Sequence, residues 1–217
     1  MRLVVILLAS MAASAALTAA FVQTGLDWAY FVWIQGSPLV ALLWPADIVG
    51  YIAPFAVVLA LAIATRRAGG SRDWSLPLAA VLATLGGLAV SVGLKSITGR
   101  VSPPHHAFGE ALTSADNSAM FQFGFLNQPI IGGWPSSHAT ISFAVLVAVV
   151  LVAPIAKRPR LVIYGLPVAA FIGLGVTFGF HWLSEFVSGV LIGSAVGYCV
   201  AATLNAPETS SAQPVPD

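Results

Sequence analysis

Residues 132–143 read GGWPSSHATISF and join a polar cluster to the beginning of a long apolar run. Pro135 suits the first position of a helix, so the stretch predicts a helix that continues through the apolar run. Ser136, Ser137 and His138 would then lie in its first turn, whose free backbone N–H groups and positive dipole end bind anions, phosphate above all. This stretch therefore predicts an anion site at the beginning of an apolar helix.

The composition of the chain is that of an integral membrane protein. Of its 217 residues, 58% are hydrophobic and only 8% are charged, whereas soluble globular domains contain about 25% charged residues. The formal net charge of +1 argues against nucleic acid as a partner. The single cysteine, Cys199, excludes an intrachain disulfide and a zinc site built from several cysteines.

Six apolar segments approach the roughly 20 residues that a helix needs to cross a bilayer. They cover residues 3–22, 48–65, 76–97, 136–156, 161–179 and 183–203. The pattern predicts an all-α fold, a bundle of six transmembrane helices that forms one membrane domain over residues 1–205. The polar, proline-rich residues 206–217 predict a disordered tail, and the tryptophan-rich loop 23–47 predicts a segment at the membrane interface.

The first apolar segment allows two interpretations. Its short basic start, apolar core and small residues also describe a cleavable signal peptide. The apolar stretch is long for the core of a signal peptide, however, and a retained helix agrees with the distribution of charges. Retention and cleavage both remain open at this point.

The basic residues orient the predicted bundle. Seven of the nine lie in the N-terminus, in the loop between the second and third spans, and in the loop between the fourth and fifth: Arg2, Arg66, Arg67, Arg72, Lys157, Arg158 and Arg160. Six spans place all seven on one side, which the positive-inside rule makes the cytoplasm. We therefore expect a multi-pass protein of the cytoplasmic (inner) membrane whose site faces the periplasm, and the alanine-rich composition suggests a bacterial source.

Ionisable groups that cluster on the outer side form the candidate site. Those singled out are Lys95, Arg100, Glu185 and the four histidines, His105, His106, His138 and His181. His181 and Glu185 are four residues apart and share a helix face, so the carboxylate can fix the imidazole tautomer and make His181 a nucleophile. His138 is placed to give a proton to a leaving oxygen. Lys95 and Arg100 are candidates for neutralising a bound phosphate.

Three stretches contain these residues, 94–106, 132–139 and 178–189. They resemble the signature of the type 2 phosphatidic acid phosphatase family, membrane lipid phosphatases related to bacterial acid phosphatases and vanadium haloperoxidases. The signature runs Lys-x6-Arg-Pro, Pro-Ser-Gly-His and Ser-Arg-x5-His-x3-Asp. The matching positions are Lys95, Pro103, Pro135, Ser136, His138 and His181. The resemblance implies the six-helix all-α fold and a reaction without metal or cofactor. In that reaction His181 forms a phosphohistidine, His138 protonates the leaving group, and Glu185 orients His181.

The chain departs from this signature at three places. Ser102 stands where the first arginine is expected, Leu174 and Gly175 replace the Ser-Arg pair, and Glu185 replaces the aspartate. Each lost arginine removes charge-assisted hydrogen bonds to phosphate, worth about 1.5–3 kcal/mol apiece. We expect Arg100 to supply the missing guanidinium. His105 and His106 are possible auxiliary groups.

Three functions are compatible with these residues. The first is a lipid phosphate or diphosphate phosphatase at the outer face of the cytoplasmic membrane. The second is a non-catalytic lipid-phosphate-binding or transport protein on the same fold, which the lost arginines favour. The third is a metal site, since histidine and carboxylate ligands suit zinc; its candidate ligands are His105, His106, His138, His181 and Glu185. The helix N-terminus at Ser136 favours an anion over a metal. The sequence specifies neither the lipid nor the oligomeric state.

Overall fold

A computed structural model of the chain describes residues 1–67, 74–104, 117–126 and 133–206. Within these residues the chain is helical and has no β-strand, only an isolated bridge between Arg100 and Phe121. The α-helices are α1 (Arg2–Gln23), α2 (Leu26–Gln35), α3 (Leu43–Arg67), α4 (Ser75–Thr98), α5 (Ser137–Val152), α6 (Arg158–Gly175) and α7 (Leu183–Leu204). Short 3-10 turns cover Pro38–Leu42, Ile155–Lys157 and Val176–Phe178.

Five segments are long and apolar enough to cross a membrane. They are Arg2–Gln23, Pro38–Arg67, Ser75–Thr98, Ile155–Phe178 and Leu183–Leu204. The prediction of an all-α, multi-pass membrane protein is thus confirmed. α5 is also apolar, but its 16 residues extend only about 24 Å at 1.5 Å per residue. The sixth span and the outward-facing site therefore stay predictions, and the expected tail beyond Ala206 lies outside the described residues.

Close packing of α7 on α5 forms the centre of the fold. Gly189, Gly193 and Gly197 recur every four residues on the face of α7 that meets α5. A Cβ atom at Gly193 would collide with the carbonyl oxygen of Thr140. Such a row of glycines lets two membrane helices approach backbone to backbone. The N-terminal ends of α5 and α7, which carry candidate site residues, are therefore held side by side.

α1 packs on the outer part of α7 through small polar side chains. Thr18 Oγ1 lies 3.0 Å from Ser188 Oγ, and both are buried. The indole Nε1 of Trp134, just before α5, donates to both hydroxyls, at 2.9 Å and 2.7 Å. These contacts join the first apolar segment to the centre of the bundle.

The loop expected at residues 23–47 is a more ordered element than the sequence indicated. It contains α2, whose Phe31 packs against Trp182 with ring centroids 5.8 Å apart. α3 begins at Leu43, five residues before the predicted span. Pro45 falls in its first turn, where proline is tolerated, so it does not interrupt the helix. The segment is therefore part of the helical core and leads directly into a membrane helix.

Candidate active site

His181 and Glu185 form a buried hydrogen-bonded pair at the beginning of α7. His181 lies in the turn that follows Val176–Phe178, and Glu185 lies in the first turn of the helix. Their Nδ1 and Oε2 atoms are 2.6 Å apart, and both residues are buried. A carboxylate accepts only, so Nδ1 carries the proton and Nε2 carries the lone pair. The pair therefore provides an oriented imidazole with a nucleophilic nitrogen.

The surroundings of His181 favour its neutral form. Burial lowers the pKa of His181, and the positive charge of Lys95 lowers it further, whereas Glu185 and Asp47 act in the opposite direction. The pKa lies below the ordinary value of 6.5. The ring is therefore uncharged near neutral pH, as a nitrogen nucleophile must be.

The N-terminus of α5 lies beside this pair. Ser136 is the N-cap, and its backbone N–H donates to the carbonyl of Glu185 at 3.1 Å. The helix begins at Ser137, so Pro135 precedes the N-cap and does not occupy the first helical position that the sequence suggested. The Ser136 hydroxyl is fully buried and has no hydrogen-bond partner within the described residues. A buried, unpartnered hydroxyl next to the free N–H groups of a first helical turn provides donors for an anion.

The ring of His138 turns from α5 towards α3. Its Nε2 atom lies 3.4 Å from Asp47 Oδ1. Tyr51 packs edge-on against the ring, with centroids 5.0 Å apart. Gly50 lies between these two residues on α3, and a Cβ atom there would collide with the imidazole. One face of α3 is thus shaped to receive the His138 ring, a contact that the sequence analysis did not anticipate.

Lys95 supplies a positive charge to the same region. It lies in the last turn of α4 and is only 5% exposed. It is close enough to His138 and His181 to interact with both electrostatically. Lys95 therefore lies in the region of the two histidines, and its contact with a bound anion stays a prediction.

Arg100 has different contacts from those expected of a phosphate ligand. It is fully buried, and its guanidinium makes five hydrogen bonds to protein acceptors. Nε and Nη2 donate to the carbonyl of Ser118 at 2.9 Å and 2.7 Å, and Nη2 also donates to Asp27 at 2.7 Å. Nη1 donates to Ser184 at 2.8 Å and to Glu185 at 3.5 Å. Because a guanidinium has five N–H donors, the expected phosphate contact conflicts with this arrangement.

Asp27 completes a buried chain of charges behind the histidine. Its Oδ1 accepts the backbone N–H of Ser184 at 2.8 Å, and its Oδ2 accepts the Ser184 hydroxyl at 2.6 Å. Asp27 therefore caps the beginning of α7 and pairs with Arg100, which in turn contacts Glu185. The series Asp27, Arg100, Glu185, His181 connects α2 to the candidate nucleophile.

The packing of α3 explains one of the missing arginines. Gly175 stands where the family signature has the second arginine, and a Cβ atom there would collide with Ala46 of α3. The space that a longer side chain would need is filled by α3. The same helix carries Asp47, the next residue, towards His138.

The proposed metal site is only partly within the described residues. Among those residues, no group of three or more His, Cys, Asp or Glu side chains could hold a metal ion. His105 and His106, expected as auxiliary groups or metal ligands, lie outside the described residues.

A family model described as the PAP2 superfamily matches residues 74–207, more than half of the chain. The matched region includes Lys95, His138, His181 and Glu185, whereas Asp47 lies before it. Comparisons with curated proteins and with solved structures find no match.

Proposed function

Because the chain belongs to the PAP2 superfamily, whose members are generally phosphatases, we propose that it hydrolyses the phosphate or diphosphate ester of a membrane lipid through a phosphohistidine. The observation that carries this proposal is the position of the His181–Glu185 pair next to the α5 N-terminus, where the Ser136 hydroxyl has no protein partner. A nucleophile and an anion site are thereby held together. The non-reacting oxygens of the phosphate would bind at the α5 N-terminus.

The reaction has two steps. In the first, the Nε2 lone pair of His181 forms a bond to phosphorus while the bond to the leaving oxygen breaks, and His138 gives that oxygen a proton. In the second, water attacks phosphorus and gives a proton back to His138, and the bond to His181 breaks. Glu185 stabilises the positive charge that His181 carries between the two steps.

The negative charge of the phosphate would be met chiefly by Lys95 and the first turn of α5. Lys95 acts as a buried point charge. The hydroxyls of Ser136 and Ser137 and the free backbone N–H groups add neutral donors. In this proposal Arg100 holds Glu185 and Asp27 in place and does not contact the substrate.

An apolar groove supports a lipid as the substrate. It lies between α3, α5 and α6, has a volume of about 370 Å³, and is lined mainly by side chains such as Val57, Leu61, Val145 and Leu161. Ile172 lines this groove and also lies beside Gly50, where the His138 ring packs. We propose that a hydrocarbon chain of the substrate occupies the groove while its phosphate reaches His138 and His181.

The test is phosphate release by the purified protein from a panel of lipid phosphates: phosphatidate, phosphatidylglycerol phosphate, undecaprenyl diphosphate and lipid A phosphates. We expect turnover of at least one, and none by His181→Ala. With p-nitrophenyl phosphate labelled in the phosphate, whose leaving group needs no proton, His138→Ala should accumulate a labelled protein that is stable to base and labile to acid, because only the second step then needs His138. No release from any member of the panel would contradict the proposal.

The second candidate is a non-catalytic lipid-phosphate-binding protein. The commitment of the Arg100 donors to protein acceptors favours it, because a site with fewer cations stabilises a transition state less. Binding of the same lipids without phosphate release would identify this function.

A further inference from the structure

We propose that Asp47 is a positioning residue for the general acid, and this inference rests on the proposed phosphatase function. Asp47 lies on α3, before residues 74–207 that the family model matches. Its carboxylate is 15% exposed and faces Nε2 of His138, which is 12% exposed, at 3.4 Å. Asp47 would hold the protonated ring with the second proton, on Nδ1, directed to the leaving oxygen.

The face of α3 around Asp47 is built for this ring. Asp47, Gly50 and Tyr51 have the i, i+3, i+4 spacing that places side chains on one helix face. Gly50 makes room for the imidazole, and Tyr51 limits its rotation by edge-on packing. The ring is therefore held with Nε2 towards Asp47, which leaves Nδ1 for the substrate.

The charges around His138 explain why a carboxylate is needed there. A general acid must be protonated before the bond to the leaving group breaks. Burial and the positive charge of Lys95 both oppose a positive charge on His138. Asp47 is the carboxylate that faces the ring, and in this proposal its negative charge compensates this effect when His138 is protonated. The Nε2 atom makes no well-formed hydrogen bond in the resting structure, and the 3.4 Å separation is expected to shorten when the ring is charged.

The proton balance follows from these positions. As the P–O bond breaks, its electron pair stays on the leaving oxygen, which takes the proton from Nδ1 of His138. His138 is then neutral and keeps the proton on Nε2, hydrogen-bonded to Asp47. When water attacks the phosphohistidine, its proton returns to Nδ1 and the imidazolium next to Asp47 is restored.

The experiment compares leaving groups. Protonation of the leaving oxygen matters greatly for the alkoxide of dioctanoyl phosphatidate and little for the p-nitrophenolate of p-nitrophenyl phosphate. Asp47→Asn should therefore affect the hydrolysis of these two substrates differently. We expect kcat/KM to fall about 10²-fold on phosphatidate, the lower end for loss of general acid catalysis. On p-nitrophenyl phosphate we expect a fall of less than about 3-fold on the same grounds. His138→Ala should show the same selectivity.

Asp27→Asn is the matched control. It makes the same chemical change at a buried carboxylate that contacts Arg100 and Ser184, so its loss should be similar on both substrates. Asp47→Glu, which keeps a carboxylate, should retain more phosphatidate turnover than Asp47→Asn.

Two outcomes overturn the proposal. Equal losses on the two substrates in Asp47→Asn would make Asp47 merely structural, and equal losses in Asp47→Glu and Asp47→Asn would remove the need for a carboxylate. A wild-type protein that releases phosphate from no lipid of the panel and not from p-nitrophenyl phosphate would overturn the phosphatase function itself, which distinguishes that failure from the failure of Asp47. If another lipid of the panel is hydrolysed and phosphatidate is not, that lipid replaces phosphatidate in the comparison.

Discussion

At the residue scale, Arg100 is a buried cation that contacts the candidate site through Glu185. Its guanidinium joins Asp27, Ser184 and Glu185 in a fully buried network. Removing one partner of a buried ion pair leaves an uncompensated charge, at a cost of about 3–5 kcal/mol. The side chain is therefore expected to act on the stability and geometry of the site together.

We predict that Arg100→Ala lowers the free energy of unfolding by about 3–5 kcal/mol, as measured by denaturant unfolding in detergent. Asp27→Asn in the same background should cost less than in the wild type, because the charge it removes is already unpaired. A variant with lost turnover and unchanged stability would return Arg100 to the role of a phosphate ligand.

The complementary prediction concerns Lys95. Lys95→Met removes the charge and keeps most of the buried stem. If Lys95 meets the phosphate, the loss of one charge-assisted interaction of about 1.5–3 kcal/mol should lower kcat/KM about 10- to 150-fold. Stability should fall far less than in Arg100→Ala, and an unchanged kcat/KM would argue against the assignment.

A third prediction at this scale concerns the pH profile. Because the pKa of His181 lies below 6.5, the neutral nucleophile persists in mildly acidic solution, and the acidic limb of the kcat/KM profile should lie below pH 6.5. The Glu185 carboxylate raises that pKa, so Glu185→Gln should move the acidic limb to still lower pH.

Glu185→Gln should also reduce the maximal rate about 10²-fold or more, since orientation and charge stabilisation of His181 are lost. Glu185→Asp should lose much less, and full activity in Glu185→Gln would contradict the assigned role.

At the scale of the elements, the α5–α7 contact depends on the absence of side chains. A Cβ atom at Gly193 would meet the carbonyl of Thr140, and one at Gly197 would meet the carbonyl of Ala144. The backbone cannot yield as a flexible side chain would. The distance between the beginnings of α5 and α7, and hence between His138 and His181, is therefore set by these glycines.

We predict that Gly193→Ala destabilises the protein by about 1–3 kcal/mol, the usual cost of overpacking, and lowers turnover. Gly93→Ala on α4 is the matched control, since no atom lies within 4 Å of its added Cβ. That variant should be neutral, or more stable by up to about 1 kcal/mol from helix propensity. Denaturant unfolding in detergent measures the stability of both variants. If Gly193→Ala is as stable as Gly93→Ala, the packing argument fails.

The elements also explain how much of the site could be predicted. The His181–Glu185 contact depends on a spacing of four residues within one helix turn, which a sequence displays directly. The contacts of Asp27 and Asp47 depend on which faces of distant helices meet, and one sequence contains no signal for that choice. A carboxylate at membrane depth was the available hint. α3 was also predicted to begin too late, because Trp44, Pro45 and Asp47 interrupt the apolar pattern inside its first turns.

At the scale of the whole molecule, the bundle has two chemically different ends. At one end, Ser136 N–H donates to the carbonyl of Glu185, and Lys95 lies in the last turn of α4. At the other, Arg158 donates to the carbonyls of Leu151 and Ala153 and holds the beginning of α6 to the end of α5. One end thus carries the candidate site and the other carries basic residues, which is the asymmetry that orients membrane proteins.

This asymmetry predicts that the site faces outward. The expectation is that a cysteine at Ser114 in a Cys199→Ser background reacts with an impermeant maleimide in intact cells, whereas one at Ser71 reacts only after the membrane is permeabilised. The reason is that Arg66, Arg67 and Arg72 flank the second position in the sequence and are expected to hold it in the cytoplasm. Ser114 follows Lys95 and Arg100 in the sequence and is expected on the same side of the membrane as the histidines. Labelling of Ser71 but not Ser114 would reverse the orientation and place hydrolysis on the cytoplasmic face, where the lipid phosphates available to the enzyme would be those of the inner leaflet.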